Sequence, residues 1–199
     1  MKSALRRLTP WSILALGVAL PTAGAGQDAS LALEVHGGGS IPVGSFATGS
    51  AVGQGTDPGP SFDVFFTMTG QGRRTTYLGF GQHRFGCEVA GCPAGTSYIA
   101  TGLDLGFRVK LLREGSILPW LSLGGLTTRV ESPGLPDSPS GVSSLGYGGE
   151  AGAGLYIGAG RSFALNPQVR FATVAVDLPG ERRLTLRYVV ATVALVLAF

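Results

Sequence analysis

The sequence contains few charged residues, and very few of them are lysine. Asp, Glu, Lys and Arg make up 14% of its 199 residues, whereas about a quarter of a typical soluble protein is charged. Only 2 of the 15 basic residues are lysines. No helix-period pattern of useful length follows the first 26 residues. These shortages argue against an ordinary soluble helical domain.

The apolar stretch near the start of the chain is too short to cross a bilayer as a helix. Trp11–Leu20 has ten residues, and about 20 are needed. Lys2, Arg6 and Arg7 precede it, and the small residues Ala23–Ala25 follow it. This order predicts a cleaved secretory signal peptide over residues 1–26. A retained anchor is the alternative, and Arg6-Arg7 alone is weak support for the twin-arginine route.

Loss of that segment leaves the mature chain, residues 27–199, without net charge. Three of the 15 basic residues belong to the segment, and the remaining ones equal the 12 acidic residues in number. Overall charge therefore supports neither a nucleic-acid partner nor a strongly ion-selective surface. We expect no nucleic-acid binding.

Cysteine is scarce as well. Cys87 and Cys92 are separated by four residues, which excludes a redox CxxC motif and suits a small disulfide loop in an oxidising compartment. The segment offers too few ligands for a metal. We expect a Cys87–Cys92 disulfide, no metal and no cofactor.

Eight stretches of alternating apolar residues fill the mature chain and predict eight strands. They cover 31–39, 60–68, 75–84, 97–111, 117–130, 144–157, 163–176 and 185–199. Short gaps at 70–74, 112–116 and 158–162 alternate with longer ones at 40–59, 85–96, 131–143 and 177–184, the last only slightly longer than a turn. Short periplasmic turns and longer external loops are typical of outer-membrane barrels.

The two faces of the stretches differ in polarity. In the fourth, Leu103, Leu105 and Phe107 lie on one side, and Asp104 and Arg108 lie on the other. A soluble sandwich also alternates, but several stretches reach the ten residues that a tilted membrane strand needs. Eight strands leave an interior that side chains just fill, so we expect no continuous aqueous channel.

The last strand, residues 187–199, has apolar residues at alternate positions and ends on Phe199. With the segments 35–46 and 118–125, it resembles the small OmpA-like outer-membrane β-barrel family. The resemblance covers residues 27–199 and implies an all-β, eight-stranded antiparallel up-and-down transmembrane β-barrel. It also implies that Phe199 is an assembly signal read by the barrel-assembly machinery.

Charged residues of the inward face form one candidate site. They are Glu34, Asp63, Asp104, Arg108, Lys110, Glu150 and Arg170. Charges in a narrow, dry interior must be paired, which favours a buried ion-pair network. The alternative is a gated, charge-lined pathway. Arg108 and Arg170 are expected to find partners on other strands, with Glu34 and Glu150 as candidates.

His36, Asp63 and His83 share the inward face of the first three strands and are expected near the outer rim. Two imidazoles and a carboxylate could bind a metal or act as an acid and base. A hydrogen-bonded rim cluster is the favoured interpretation. The serine-histidine patterns of lipid A deacylases are missing, so we assign no catalytic residue.

Arg182, Arg183 and Arg187 surround the fourth external gap. Guanidinium groups suit the phosphates of lipopolysaccharide, and a solvated loop with a snorkelling arginine is the alternative.

The sequence favours a non-enzymatic outer-membrane barrel of a Gram-negative-type bacterium, acting structurally or through its external loops, whose partner it does not name. We expect a monomer in contact with outer-membrane lipid and lipopolysaccharide. An envelope-lipid-modifying enzyme and a narrow porin are the alternatives.

Overall fold

The computed structural model describes residues 30–48, 55–70, 72–87, 97–132, 141–158, 163–178 and 182–199. The predicted signal peptide, residues 1–26, and Cys92 lie outside these ranges. Within them, no helix is long and apolar enough to cross a membrane.

The described residues form eight long strands, which confirms the number that the alternating stretches predict. They are β1 (Ser30–Pro42), β3 (Gly59–Thr69), β4 (Arg74–Cys87), β5 (Ser97–Lys110), β6 (Ile117–Ser132), β8 (Gly146–Ile157), β9 (Phe163–Leu178) and β10 (Arg182–Ala198). Three short elements lie in the connections: helix α1 (Ser45–Thr48) and the two-residue strands β2 (Thr56–Asp57) and β7 (Gly141–Val142). Sequence alternation did not predict these short elements.

The eight long strands close into an antiparallel up-and-down barrel. Each pairs with its neighbours along the chain, and β1 pairs with both β3 and β10. Glu34 of β1, for example, lies opposite Val196 of β10 and Phe65 of β3. Closure leaves none of these strands as a free edge, which a backbone surrounded by lipid requires.

Side chains alternate between the two faces of the barrel wall as predicted. Leu103 is 54% exposed, and its neighbour Asp104 is 6% exposed. The outward side chains form an apolar belt. Its exposed members include Phe62, Phe66, Leu78, Phe80, Leu103, Leu105, Phe107, Leu121, Leu123, Leu165, Val169, Phe171, Val193 and Leu195. An exposed apolar surface of this extent is that of a membrane β-barrel.

The two ends of the barrel differ in the lengths of their connections. At the turn end, residues 70–73, 111–116 and 158–162 join successive strands. Each of these turns contains a glycine in the left-handed region: Gly72, Gly115 and Gly158, with φ of +100°, +134° and +83°. Glycine adopts such angles without the steric cost that a β-carbon imposes.

The other end, the loop end, has the longer connections, but the last of them is shorter than the sequence predicts. β9 ends at Leu178 and β10 begins at Arg182, which leaves three residues between them. Leu178 and Leu184 are both buried, so the inward face continues into positions expected to belong to a loop. β9 and β10 therefore extend further toward the loop end than the sequence predicts.

Candidate functional site in the barrel interior

The first group in the middle of the interior is built around Arg108 of β5. Its Nη1 lies 2.7 Å from each carboxylate oxygen of Glu34 on β1 and 2.6 Å from the hydroxyl of Tyr156 on β8. Glu34 is fully buried and Arg108 is nearly so. The alternation places both side chains inward, and the barrel register brings β1 and β5 across from each other. A buried pair with several hydrogen bonds offsets much of the cost of desolvating its charges.

Glu34 is held by more than its arginine. It accepts hydrogen bonds from the Tyr156 hydroxyl at 2.9 Å and the Asn166 amide at 3.1 Å, and its Oε2 lies 3.0 Å from Nε2 of His36. Nδ1 of His36 lies 3.0 Å from the amide nitrogen of Gln168. The tautomer with hydrogen on Nε2 satisfies both contacts of the imidazole.

The second group is built around Arg170 of β9, which meets three carboxylates. Its Nη2 lies 2.5 Å from Asp63, and its Nη1 lies 2.8 Å from Glu150 and 3.2 Å from Asp104. The hydroxyl of Tyr77 donates to the other oxygen of Glu150 at 2.7 Å. One guanidinium therefore contacts acids from β3, β5 and β8, so removing it would leave three buried carboxyl groups without their shared cation.

Phe65 contacts both guanidinium groups. The Cζ atoms of Arg108 and Arg170 lie 5.6 and 4.9 Å from the centroid of its ring. The ring packs onto the backbone of Gly79, where a β-carbon would collide with it. Arg108 also lies 4.6 Å from the Trp120 ring centroid. Aromatic faces stabilise desolvated cations, so this packing supports both arginines.

The two histidines do not form the rim cluster that the sequence predicts. His36 and Asp63 are fully buried, and His36 bonds to Glu34 and Gln168 rather than to His83. His83 lies 3.5 Å from Asp63 and 3.1 Å from Ser40. The prediction was wrong about depth because parity gives the face of a strand but not the height of a residue along the barrel. No group of three metal-binding side chains occurs among the residues described.

Lys110 also lies outside the ion-pair network in which the sequence places it. It ends β5 at the turn end, and it forms no ion pair with the described residues. Its Nζ lies 5.8 Å from the ring centroid of Tyr156. Its side chain faces the turn-end opening instead of the buried middle, so the ion-pair groups are formed without it.

An apolar layer lies between the charged groups and the loop end. It includes Phe85, Tyr98, Val130, Val174, Val176, Leu178, Leu184, Leu186 and Tyr188. Phe46 of α1, in the first long connection, is fully buried in this layer and packs edge-on against Phe85 at 4.9 Å. Thr56 of β2 donates a hydrogen bond to the carbonyl of Phe46 at 2.8 Å, which fixes the helix over the opening.

A smaller layer lies on the turn-end side of the charged groups. Leu118, Trp120, Tyr156, Ala164 and Val196 form it. Beyond it a cavity of about 300 Å³ includes Ser30, Thr67, Thr69 and Lys110 in its lining. On the outer wall, a shallow depression of about 660 Å³ is lined by small residues such as Gly37, Ala153 and Ala191. The depression belongs to the apolar belt.

Sequence reasoning did not assign hydrogen-bonding roles to five side chains of the charged groups. They are Tyr77, Trp120, Tyr156, Asn166 and Gln168. The Trp120 indole donates to Asn166 at 3.1 Å, and Gln168 donates to Thr192 at 3.1 Å. A polar residue of inward parity in a strand is the pattern that identifies such partners.

The remaining predicted residues lie toward the two ends. Cys87 ends β4 and packs against the apolar layer. Arg182 begins β10, and Arg183 and Arg187 have exposed side chains. Phe199 is 74% exposed, and its N–H donates to the carbonyl of Leu31 at 3.0 Å.

This geometry, a closed barrel with an apolar exterior and charges buried inside, defines the small outer-membrane β-barrel fold. Neisserial surface protein A has it, with a TM-score of 0.62 and 10% identity over 86% of this chain and 99% of that one. The N-terminal barrel domain of Pseudomonas aeruginosa OprF has a TM-score of 0.51 and 13% identity over 84% of this chain and 97% of that domain. The sequence matches no protein-family profile and no curated protein. The likeness is one of fold.

Proposed function

We propose that the protein is a non-enzymatic, monomeric outer-membrane barrel with a plugged lumen, which acts structurally or through surface contacts of its loop end. The turn end then faces the periplasm, and the loop end faces outward. The proposal rests on three buried layers stacked inside the barrel wall: the apolar layer at the loop end, the charged groups in the middle, and the smaller layer at the turn end. With Phe46 seated across the loop end, these layers favour closure over conduction.

Planar-bilayer recording tests the plug. The wild-type barrel should show no sustained conductance. Phe85→Ala with Tyr98→Ala removes two large rings from the apolar layer and should raise conductance or its frequency. Leu103→Ala, on the outward face, is the matched control and should leave the recording unchanged. Sustained large conductance in the wild type would instead support the narrow porin.

Lipid A from cells with and without the gene tests the enzyme alternative. Identical lipid A mass spectra are expected, because the candidate acid/base residues His36 and Asp63 are fully buried and already hydrogen-bonded or ion-paired. A mass change that depends on the gene would contradict the non-enzymatic assignment.

The disulfide is part of the proposal. Cys87 lies at the loop end of β4, and Cys92 follows outside the described residues. A bond between them would close a loop of six residues and stabilise it by at most about 2–3 kcal/mol. Reduction should loosen that loop and leave the barrel folded. Free thiols in unreduced protein from the cell envelope would refute the assignment.

Arg183 and Arg187 are proposed to contact lipopolysaccharide phosphates, together with Arg182. Both exposed side chains lie on the loop-end part of β10. Arg183 pairs in register with the exposed Asp177, whereas Arg187 pairs with the uncharged Thr173, which leaves its charge free for a phosphate. Native mass spectrometry should detect fewer lipopolysaccharide adducts on Arg183→Gln/Arg187→Gln than on the wild type. Equal numbers of adducts would rule out these contacts.

A further inference from the structure

Basic residues gather on one side of the turn end. Arg73 and Arg74 lie where β4 begins, Lys110 ends β5, and Arg113 lies in the turn that follows. β4 and β5 are paired neighbours, so the four cations share one sector of the barrel. Glu114 is the one acidic residue in the two turns concerned.

The backbones of two of these residues lie side by side. The backbone N–H of Lys110 donates to the carbonyl of Arg73 at 2.8 Å, and the Arg73 guanidinium donates to the carbonyl of Leu111 at 3.2 Å. None of the four forms an ion pair with the described residues. No described acid therefore balances the positive charge of this sector at ion-pair distance.

Exposed apolar side chains adjoin the cations. Leu111 is 47% exposed, Leu112 is 50% exposed, and Ile117 follows them at the start of β6. Arg74 shares the outward face with Leu78 and Phe80 of the belt. The cations therefore stand at the margin of the lipid-facing surface, where phospholipid headgroups lie. Guanidinium groups bind phosphate with paired hydrogen bonds.

We propose that this sector binds the phosphate of an anionic phospholipid in the leaflet at the turn end. Arg73, Arg74 and Arg113 contact the headgroup, Lys110 adds its charge from the inner side, and Leu111 and Leu112 pack against the glycerol and upper acyl region. The site lies at the opposite end of the barrel from the proposed lipopolysaccharide contacts. It does not depend on the surface role proposed for the loops.

The test is native mass spectrometry of the folded barrel with phosphatidylglycerol or phosphatidylcholine of matched acyl chains. The wild type should retain phosphatidylglycerol in preference. Arg73→Gln/Arg113→Gln should weaken that retention by about thirtyfold, since each basic residue near an anionic surface contributes roughly a fivefold change. The matched control is Arg84→Gln/Arg129→Gln, which removes two exposed arginines from β4 and β6 at the loop end. It should retain phosphatidylglycerol as the wild type does.

Equal retention of both lipids, or equal losses in the two variants, would overturn the proposal, because net charge alone would then explain binding. Displacement of phosphatidylglycerol by an equal concentration of inorganic phosphate would overturn the lipid assignment in favour of a free-anion site. Unboiled gel migration checks that each variant is folded. If the first pair does not fold, Arg74→Gln/Lys110→Gln takes the same test with the same expected loss.

Discussion

Replacing Arg170 with methionine should lower the free energy of unfolding by about 3–5 kcal/mol, the usual cost of breaking a buried ion pair from one side. The loss arises because Asp63, Asp104 and Glu150 would remain buried without their shared guanidinium. Denaturant unfolding in detergent micelles, followed by the change in unboiled gel migration, measures it. Arg187→Met removes an exposed arginine and should change stability by no more than about 0.5 kcal/mol.

A double substitution separates charge pairing from packing. Arg170→Met/Glu150→Leu leaves one buried carboxyl group fewer without its cation than Arg170→Met does. Its loss of unfolding free energy should therefore be smaller than the sum of the losses for Arg170→Met and Glu150→Leu measured singly. If Arg170→Met unfolds at the same denaturant concentration as the wild type, the guanidinium does not stabilise the charged groups.

Deleting Phe199 should sharply reduce assembled protein in cells and leave refolding in detergent efficient. Its side chain is 74% exposed, so lost packing alone should cost at most about 1–3 kcal/mol, too little to prevent folding. The in-cell loss would then reflect recognition by the assembly machinery. The measurement is the amount of folded barrel, seen as the band that shifts on boiling, in cell membranes and after refolding in detergent.

Phe163 provides the matched control for that deletion. It is also an exposed aromatic residue at the turn end, and it pairs in register with Leu197. Phe163→Ala should assemble normally in cells, because it removes a lipid-facing ring but leaves Phe199 in place. Normal assembly of the Phe199 deletion would refute the targeting role.

The sequence predicts the wall of this barrel well and its interior less well. Alternation with period two fixes the face of each residue, so Leu103 was correctly placed outward and Asp104 inward. It does not fix height, because height depends on strand register and on the tilt of the closed barrel. His36, Asp63 and His83 were therefore expected at a rim but lie in the buried middle or against it.

Local pattern also fails where a contact depends on a connection. Phe46 carries no period-two pattern, yet it fills the loop end of the interior, since α1 and β2 bring it there. Leu178 and Leu184 were predicted to lie in the gap between the last two strands, yet they extend the inward apolar face. Lys110 has the inward parity of Arg108 but lies two residues nearer the turn end, where it shares a cavity with Glu34 without forming an ion pair among the described residues.

The hydrogen bonds of the charged groups join residues that are far apart in the chain, and this has a consequence for how the barrel is made. All eight long strands supply a side chain: Glu34 and His36, Asp63, Tyr77, Asp104 and Arg108, Trp120, Glu150 and Tyr156, Asn166 and Arg170, and Thr192. Glu34 and Asn166 are 132 residues apart. A half-built sheet would leave these charged groups without their hydrogen-bond partners. A strand added one residue out of step would turn its charges toward lipid. The interior thus favours correct assembly, since only the complete and correctly aligned barrel brings each buried charge to its partners.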